Sequence, residues 1–138
     1  MIGILLITHN GLGDSLIDCV KHVTGSVPDN LKSLSVLAED DPDSKEIEGK
    51  TLMQQLNMGE GVLILSDIFG ATPSNIALRL CKSDLVEGIA GVNLPMLLRV
   101  IFGPAELSLK EAAQRALQGG RDCIVSMKSE QNRCNVYD

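Results

Sequence analysis

The chain has 138 residues, of which 44% are hydrophobic, 22% charged and 2% aromatic, with no tryptophan. That length suits one domain, able to bury about two thirds of the surface its unfolded chain exposes. Eighteen acidic against 12 basic residues give a formal charge of -6, which argues against a nucleic-acid or anionic-membrane footprint, and the scarcity of aromatics excludes base-stacking platforms.

Residues 2–8 form an unbroken aliphatic run, the pattern of a parallel strand covered on both faces. Beyond the turn Asn10-Gly11-Leu12-Gly13, Leu16, Ile17, Val20 and Val23 recur at helical spacing as far as Gly25. Residues 31–38 alternate with a period of two, which suggests an edge strand. After the acidic turn 39–43, Asp43 and Glu46 have capping-box spacing and open a mostly polar helix that Gly59 and Gly61 end. Residues 61–66 read as a second fully apolar strand. Thr72 as N-cap and Pro73 at the first helical position open a helix through Ile76, Ala77 and Leu80. Residues 86–92 supply a fourth strand, and Pro95 begins another helix. Ser108 and Glu111 cap a last amphipathic helix to Leu117, which Gly119 and Gly120 are expected to stop, and residues 122–127 alternate like an edge strand. The reading is one α/β domain over residues 1–127, a doubly wound parallel sheet with helices on both faces, followed by a loose polar tail, 128–138.

In such sheets ligands sit beyond the carboxyl ends of the strands, where the strand order switches. The first strand ends in Thr8-His9 and the third in Ser66-Asp67, so if the two are neighbours, an imidazole and a carboxylate meet there. A carboxylate on one ring nitrogen fixes the tautomer, leaves the other lone pair free to attack, and stabilises the charged ring that results. Gly11 and Gly13 allow close backbone approach beside His9. The loop Gly70-Ala71-Thr72-Pro73-Ser74-Asn75 offers small residues, a hydroxyl and the amides of a helix N-terminus, which together suit a phosphate. There is neither a Walker A loop nor a G-x-G-x-x-G.

Other features read as structural. His22 reads as a surface or half-buried position on the first helix rather than a ligand, and the acidic run 39–43 as a solvated turn rather than a metal site, so neither a metal nor a cofactor is expected. Met53, Met58, Met96 and Met127 read as core filler. Arg79, Arg99 and Lys82 are the basic groups expected to face a partner or a phosphate. Cys19, Cys81, Cys123 and Cys134 have no zinc or C-x-x-C spacing and are expected to remain reduced thiols. No apolar run reaches the roughly 20 residues of a membrane-spanning helix, and the expected location is the cytoplasm.

Three segments, Ile7-Thr8-His9, residues 67–75 and residues 91–97, resemble the IIA domain of the mannose-type bacterial phosphotransferase system (PTS). The resemblance extends from residue 1 to about 127. It implies that His9 accepts a phosphoryl group from the phosphocarrier HPr, that Asp67 orients it, and that the Thr72 hydroxyl helps hold the phosphate, with Gly11, Gly70, Ala71 and Ser74 lining the same place. It implies a phosphotransferase component of sugar uptake that passes the group to a IIB protein, or a free-standing regulator of the system. It further implies an antiparallel last strand, often exchanged in a homodimer, at residues 122–127. HPr is expected to approach along Phe69, Asn93, Leu94 and Met96, with Arg79 or Arg99 nearby. Many members carry glycine directly after the histidine, where this chain has Asn10. No Ala/Pro-rich linker or IIB domain follows in this sequence, so the acceptor is expected to be a separate protein or to be missing. A receiver-like regulator phosphorylated on Asp67, and an anion-binding module without transfer, stay open as alternatives. The receiver chemistry wants acidic metal ligands where Thr8-His9 stand.

Overall fold

The structure, a computed structural model, describes residues 1–128 and 134–137. Its centre is β1 (Gly3–His9), whose first six residues are all buried. Helix α1 (Leu12–Thr24) follows and stops at Gly25, which takes the left-handed conformation at φ 91°. Then come β2 (Leu31–Val36), α2 (Pro42–Leu56), β3 (Val62–Ser66), α3 (Thr72–Leu80), β4 (Val86–Ala90), α4 (Leu94–Ile101) and α5 (Leu109–Asp122). The four strands form one parallel sheet in the order β2-β1-β3-β4. The switch point therefore lies between β1 and β3, and the expected edge position of β2 is found.

Alternation along the central strands divides the core. Ile4, Leu6, Leu63 and Leu65 face α1, α4 and α5 through Val20, Leu97, Ala112 and Ala116. Leu5, Ile7, Val62 and Ile64 face α2 and α3 through Leu56, Ile76, Ala77 and Leu80. Helices thus cover both faces, which is why these strands are continuous hydrophobic runs.

Several local expectations are corrected. Helix α2 is capped by Asp41, whose carboxylate accepts the Ser44 N–H with Pro42 behind it, and not by the Asp43/Glu46 pair. Ala71 is the N-cap of α3, so Thr72 is its first helical residue. Gly119 and Gly120 do not stop α5 but lie inside it, buried; a Cβ on Gly119 would stand 2.7 Å from Arg99 Cβ, and one on Gly120 2.7 Å from Met96 Cε. These glycines let α5 press against α4. The Ser108/Glu111 capping box forms as expected.

The antiparallel last strand is not found among the described residues. Asp122 ends α5, residues 123–127 pair with no strand, and Ile124 and Met127 are exposed. A strand forms only by pairing with another edge, and among the described residues this segment joins neither outer edge of the sheet, β2 or β4. The expectation of four free thiols is also corrected, since Cys123 and Cys134 are joined as a disulfide while Cys19 and Cys81 are free. The tail is accordingly not loose in its described part: Val136 packs on the core and the Tyr137 ring lies tilted against Phe102. Met58 and Met127 are exposed rather than core filler, whereas Met96 is buried.

Candidate active site at the ends of β1 and β3

The parallel pairing of β1 with β3 sets Ile7 beside Ser66, so His9 and Asp67, 58 residues apart, emerge together at the carboxyl end of the sheet. Asp67 Oδ2 accepts the backbone N–H of His9 at 2.9 Å and lies 2.8 Å from its ring Nδ1. Asp67 Oδ1 accepts the Ile68 N–H at 3.0 Å. The carboxyl is held below the ordinary carboxylate range: burial pushes it up, but the two hydrogen bonds from His9, the charge of its ring and the Ile68 amide together outweigh that. An ionised carboxylate only accepts, so Nδ1 is the donor to Asp67, and in the neutral ring Nε2 is the nitrogen with the free lone pair. The His9 side chain is 46% exposed against 11% for Asp67. The imidazole is open to a macromolecule while its anchor is not.

The loop after His9 turns at Asn10, which takes φ 48°, the only non-glycine left-handed conformation among the described residues. Asparagine tolerates that region better than other residues with a Cβ. The turn brings the first turn of α1 back over the strand end. There Gly13, read from sequence as an approach for ligand, serves packing instead: a Cβ would collide with Ser33 Oγ and lie 3.1 Å from Thr8 Oγ1. Gly11 has open space around it.

Thr8 is a residue the sequence reading passed over. Its buried hydroxyl accepts the Gly13 N–H at 2.8 Å and pins the start of α1 to β1. The one signal was a hydroxyl residue ending an otherwise aliphatic strand.

On the other side, Gly70 sits at φ 90° with open space where its Cβ would be, and Thr72 is exposed at the first position of α3. The first-turn amides of α3 have no acceptor within the helix, Pro73 excepted, which has no N–H. The Ser74 hydroxyl, expected to touch phosphate, is instead buried in the turn, accepting from Gly70 N and donating to Ala71 O, each at 2.9 Å. It shapes the loop.

The expected partner-facing residues separate. Phe69 and its neighbour Ile68 are exposed, at 74% and 57%. Met96 is buried and Leu94 packs on the same core, while the Asn93 side chain caps α4 by accepting the Met96 N–H and ties α5 by donating to Gly120 O. Arg99 is buried with its stem against Gly119, and Arg79 pairs with Asp43 and Glu46 on α2. Met96, Asn93 and Arg99 therefore serve the packing of α4 and α5 rather than the surface. A cleft of about 560 Å³ runs from Phe69 along β4, whose five residues all line it. No helix among the described residues is long and apolar enough to cross a membrane.

The family model described as PTS system fructose IIA component matches residues 3–117. The chain is 25% identical over 131 residues to the PTS system mannose-specific EIIAB component of Escherichia coli (strain K12), covering 94% of this chain and 40% of that protein. It thus spans about 40% of the length of the curated relatives it matches. Among solved structures, the mannose/sorbose specific IIA subunit of the phosphotransferase system from Enterococcus faecalis superposes with a TM-score of 0.82 at 20% identity, over 95% of this chain and 98% of that one. Phosphotransferase system component EIIA from Streptococcus agalactiae gives 0.80 at 18% identity, over 91% and 97%. These two likenesses speak for the fold.

Proposed function

The chain belongs to the fructose/mannose IIA family of the PTS, and we propose that it is a cytoplasmic phosphohistidine carrier in which His9 accepts a phosphoryl group from phosphorylated HPr and passes it to a separate IIB protein during sugar uptake. The observation that carries this reading is the Asp67 Oδ2 contact at His9 Nδ1, which leaves Nε2 as the nucleophile. In the transfer, the Nε2 lone pair forms the new N–P bond as the bond from phosphorus to the donor's histidine nitrogen breaks, and the donor ring leaves with that electron pair. His9 keeps its Nδ1 proton and becomes positively charged, and the half-buried carboxylate of Asp67 compensates that charge.

The phosphoryl oxygens would be met by the first-turn amides of α3, by the Thr72 hydroxyl, and by the backbone around Gly11, Gly70 and Ala71. Exposed Ile68 and Phe69 would form the apolar part of the HPr contact. Both oxygens of Asp67 are already engaged, by His9 and by Ile68 N–H, which favours the histidine over Asp67 as the acceptor.

The test is incubation of the full chain with phosphoenolpyruvate, enzyme I and HPr. A single label that is lost in acid, survives base and is absent from His9→Ala supports the reading. A base-labile label, or none, refutes it.

The same reading includes a homodimer. Among the described residues β4 pairs only with β3, the cleft lies along it, and the exposed Ile124 and Val125 belong to a strand-like segment that pairs with no strand of its own chain. Sedimentation at micromolar concentration should give twice the 14.8 kDa chain mass. A monomer throughout that range would remove the dimer from the proposal.

A further inference from the structure

Helix α1 is capped from outside itself. Its N-cap, Gly11, has no side chain to accept the amide two or three residues on, which is what serine, threonine or aspartate does at that position. The acceptor comes from the strand instead: Thr8 Oγ1 takes the N–H of Gly13, the second residue of the helix, at 2.8 Å. Thr8 and Gly13 are both buried, so bulk water does not compete for the bond, and without the hydroxyl that amide would be left unsatisfied. Glycine at 13 permits the approach, since a Cβ there would stand 3.1 Å from Thr8 Oγ1.

The bond closes a short ring around the stretch of chain that carries His9. Residues 9–12 lie between its two ends, and the Asn10 N–H is held in addition by Val36 O, on β2, at 3.0 Å. With these points fixed, the turn keeps little conformational freedom. Of the amides that open α1, Thr8 takes that of Gly13, while those of Gly11, Leu12 and Asp14 have no acceptor among the described residues. Thr8 thus restrains the backbone on the α1 side of His9, as Asp67 restrains its ring. It also occupies one amide and leaves open those closer to His9, at a helix end where negative charge is favoured.

We propose that Thr8 is a positioning residue for phosphoryl transfer at His9, holding residues 9–12 so that the amides of Gly11 and Leu12, and not that of Gly13, meet the phosphoryl oxygens. The proposal rests on His9 being the phosphoryl acceptor. Thr8 forms and breaks no bond in the transfer; its hydroxyl keeps the Gly13 N–H throughout.

Two measurements on the full chain test it. Amide resonances of isotope-labelled wild type are compared before and after phosphorylation by phosphoenolpyruvate, enzyme I and HPr. Those of Gly11 and Leu12 should shift, and that of Gly13 should shift far less. Single-turnover transfer is then followed across a range of phospho-HPr concentrations for Thr8→Val, which keeps the shape without an acceptor, and Thr8→Ser, which keeps the acceptor. At saturation Thr8→Val should be about 10-fold slower, less than the roughly 10²-fold that a misplacement of about 1 Å can cost. Its half-saturating concentration should be unchanged, because the exposed Ile68 and Phe69 are not disturbed. Thr8→Ser should regain most of the rate. A threonine that only supported the fold would lower the unfolding midpoint of Thr8→Val and leave the saturated rate alone. That result, a Thr8→Ser as slow as Thr8→Val, or a Gly13 resonance that shifts as much as that of Gly11 would each overturn the proposal. Where Thr8→Val does not fold, the wild-type resonances decide. A wild-type chain that takes no label on His9 overturns the carrier reading and this proposal together, whereas a normally labelled wild type with any of those three results overturns only the role of Thr8.

Discussion

His9 and Asp67 are held at two points by one oxygen: Asp67 Oδ2 takes the backbone N–H of His9 at 2.9 Å and faces ring Nδ1 at 2.8 Å. The first contact fixes where the residue begins and the second fixes how its ring is turned, so the imidazole is oriented before any partner arrives. Such preorganisation matters in phosphoryl transfer, where the protein contributes mainly position and compensating charge. A hydrogen bond to the ring alone would leave the backbone free to shift.

Asp67→Asn removes the negative charge and one of the two acceptor oxygens. With the amide oxygen in the place of Oδ2 both His9 contacts can form and the fold should persist, but the NH₂ then faces the Ile68 N–H and no charge answers the ring once it is phosphorylated. With the amide turned the other way, the NH₂ faces Nδ1, which puts the proton on Nε2 and removes the attacking lone pair. Phosphorylation of the variant by phospho-HPr should be slower by roughly 10²-fold, a milder loss than the about 10⁴-fold seen for the corresponding change in a catalytic triad. Single-turnover transfer at the wild-type rate would exclude Asp67 from the mechanism.

The lowered Asp67 pKa also has a stability consequence with a definite sign. A carboxyl that binds its proton less readily when folded than when unfolded stabilises the fold at pH values above the ordinary value of 3.8, and that contribution is lost as pH falls through the lower folded value. Denaturant unfolding of wild type and Asp67→Asn, compared below pH 5, should therefore show the wild-type advantage shrinking toward acid. An advantage that grows on acidification would mean that burial, which acts the other way, dominates at this carboxyl.

Asn10 supports a left-handed turn beside His9 at φ 48°. Asn10→Gly should keep stability within about 0.5 kcal/mol and keep transfer at the wild-type rate, because glycine reaches this region without steric cost. Asn10→Ala should lose about 1 kcal/mol, measured by urea unfolding. Equal stability of the two variants would show that the turn is not strained by a Cβ.

Much of this was legible in the sequence because the information is local or periodic. The unbroken aliphatic runs of β1 and β3 mark strands buried on both sides, and the order β2-β1-β3-β4 then brings His9 to Asp67. What could not be read depends on partners distant in sequence. Gly119 and Gly120 look like a helix stop, and only the approach of Arg99 and Met96 shows why glycine stands in mid-helix. Asn93 and Met96, at the start of a helix expected to face a partner, are claimed by the same helix pair. Ser74 reads as a phosphate ligand in the sequence, whereas its hydroxyl closes its own turn with Gly70 and Ala71. Residues 122–127 have the pattern of a strand, yet among the described residues they pair with no edge of the sheet.

Transfer from HPr should be reversible and independent of divalent metal. Exchange of a phosphoryl group between two imidazole nitrogens changes little in bond type, so the step is close to isoenergetic and rests on positioning and charge compensation rather than on a large driving force. Negative charge on the incoming phosphoryl group can be met by the first-turn amides of α3 and by the backbone beside Gly11 and Gly70. The positive ring formed at His9 is met by Asp67, so each developing charge has a counterpart in the chain itself. With a net charge of -6, the protein's overall field opposes phosphate, and these local donors must outweigh it at short range. The experiment uses phospho-HPr purified away from enzyme I, mixed with the chain in excess chelator. Label should move to His9 at an undiminished rate, and adding unphosphorylated HPr to the labelled chain should draw it back. A strict requirement for magnesium, or label that never returns to HPr, would refute the scheme and point to an acyl phosphate on Asp67.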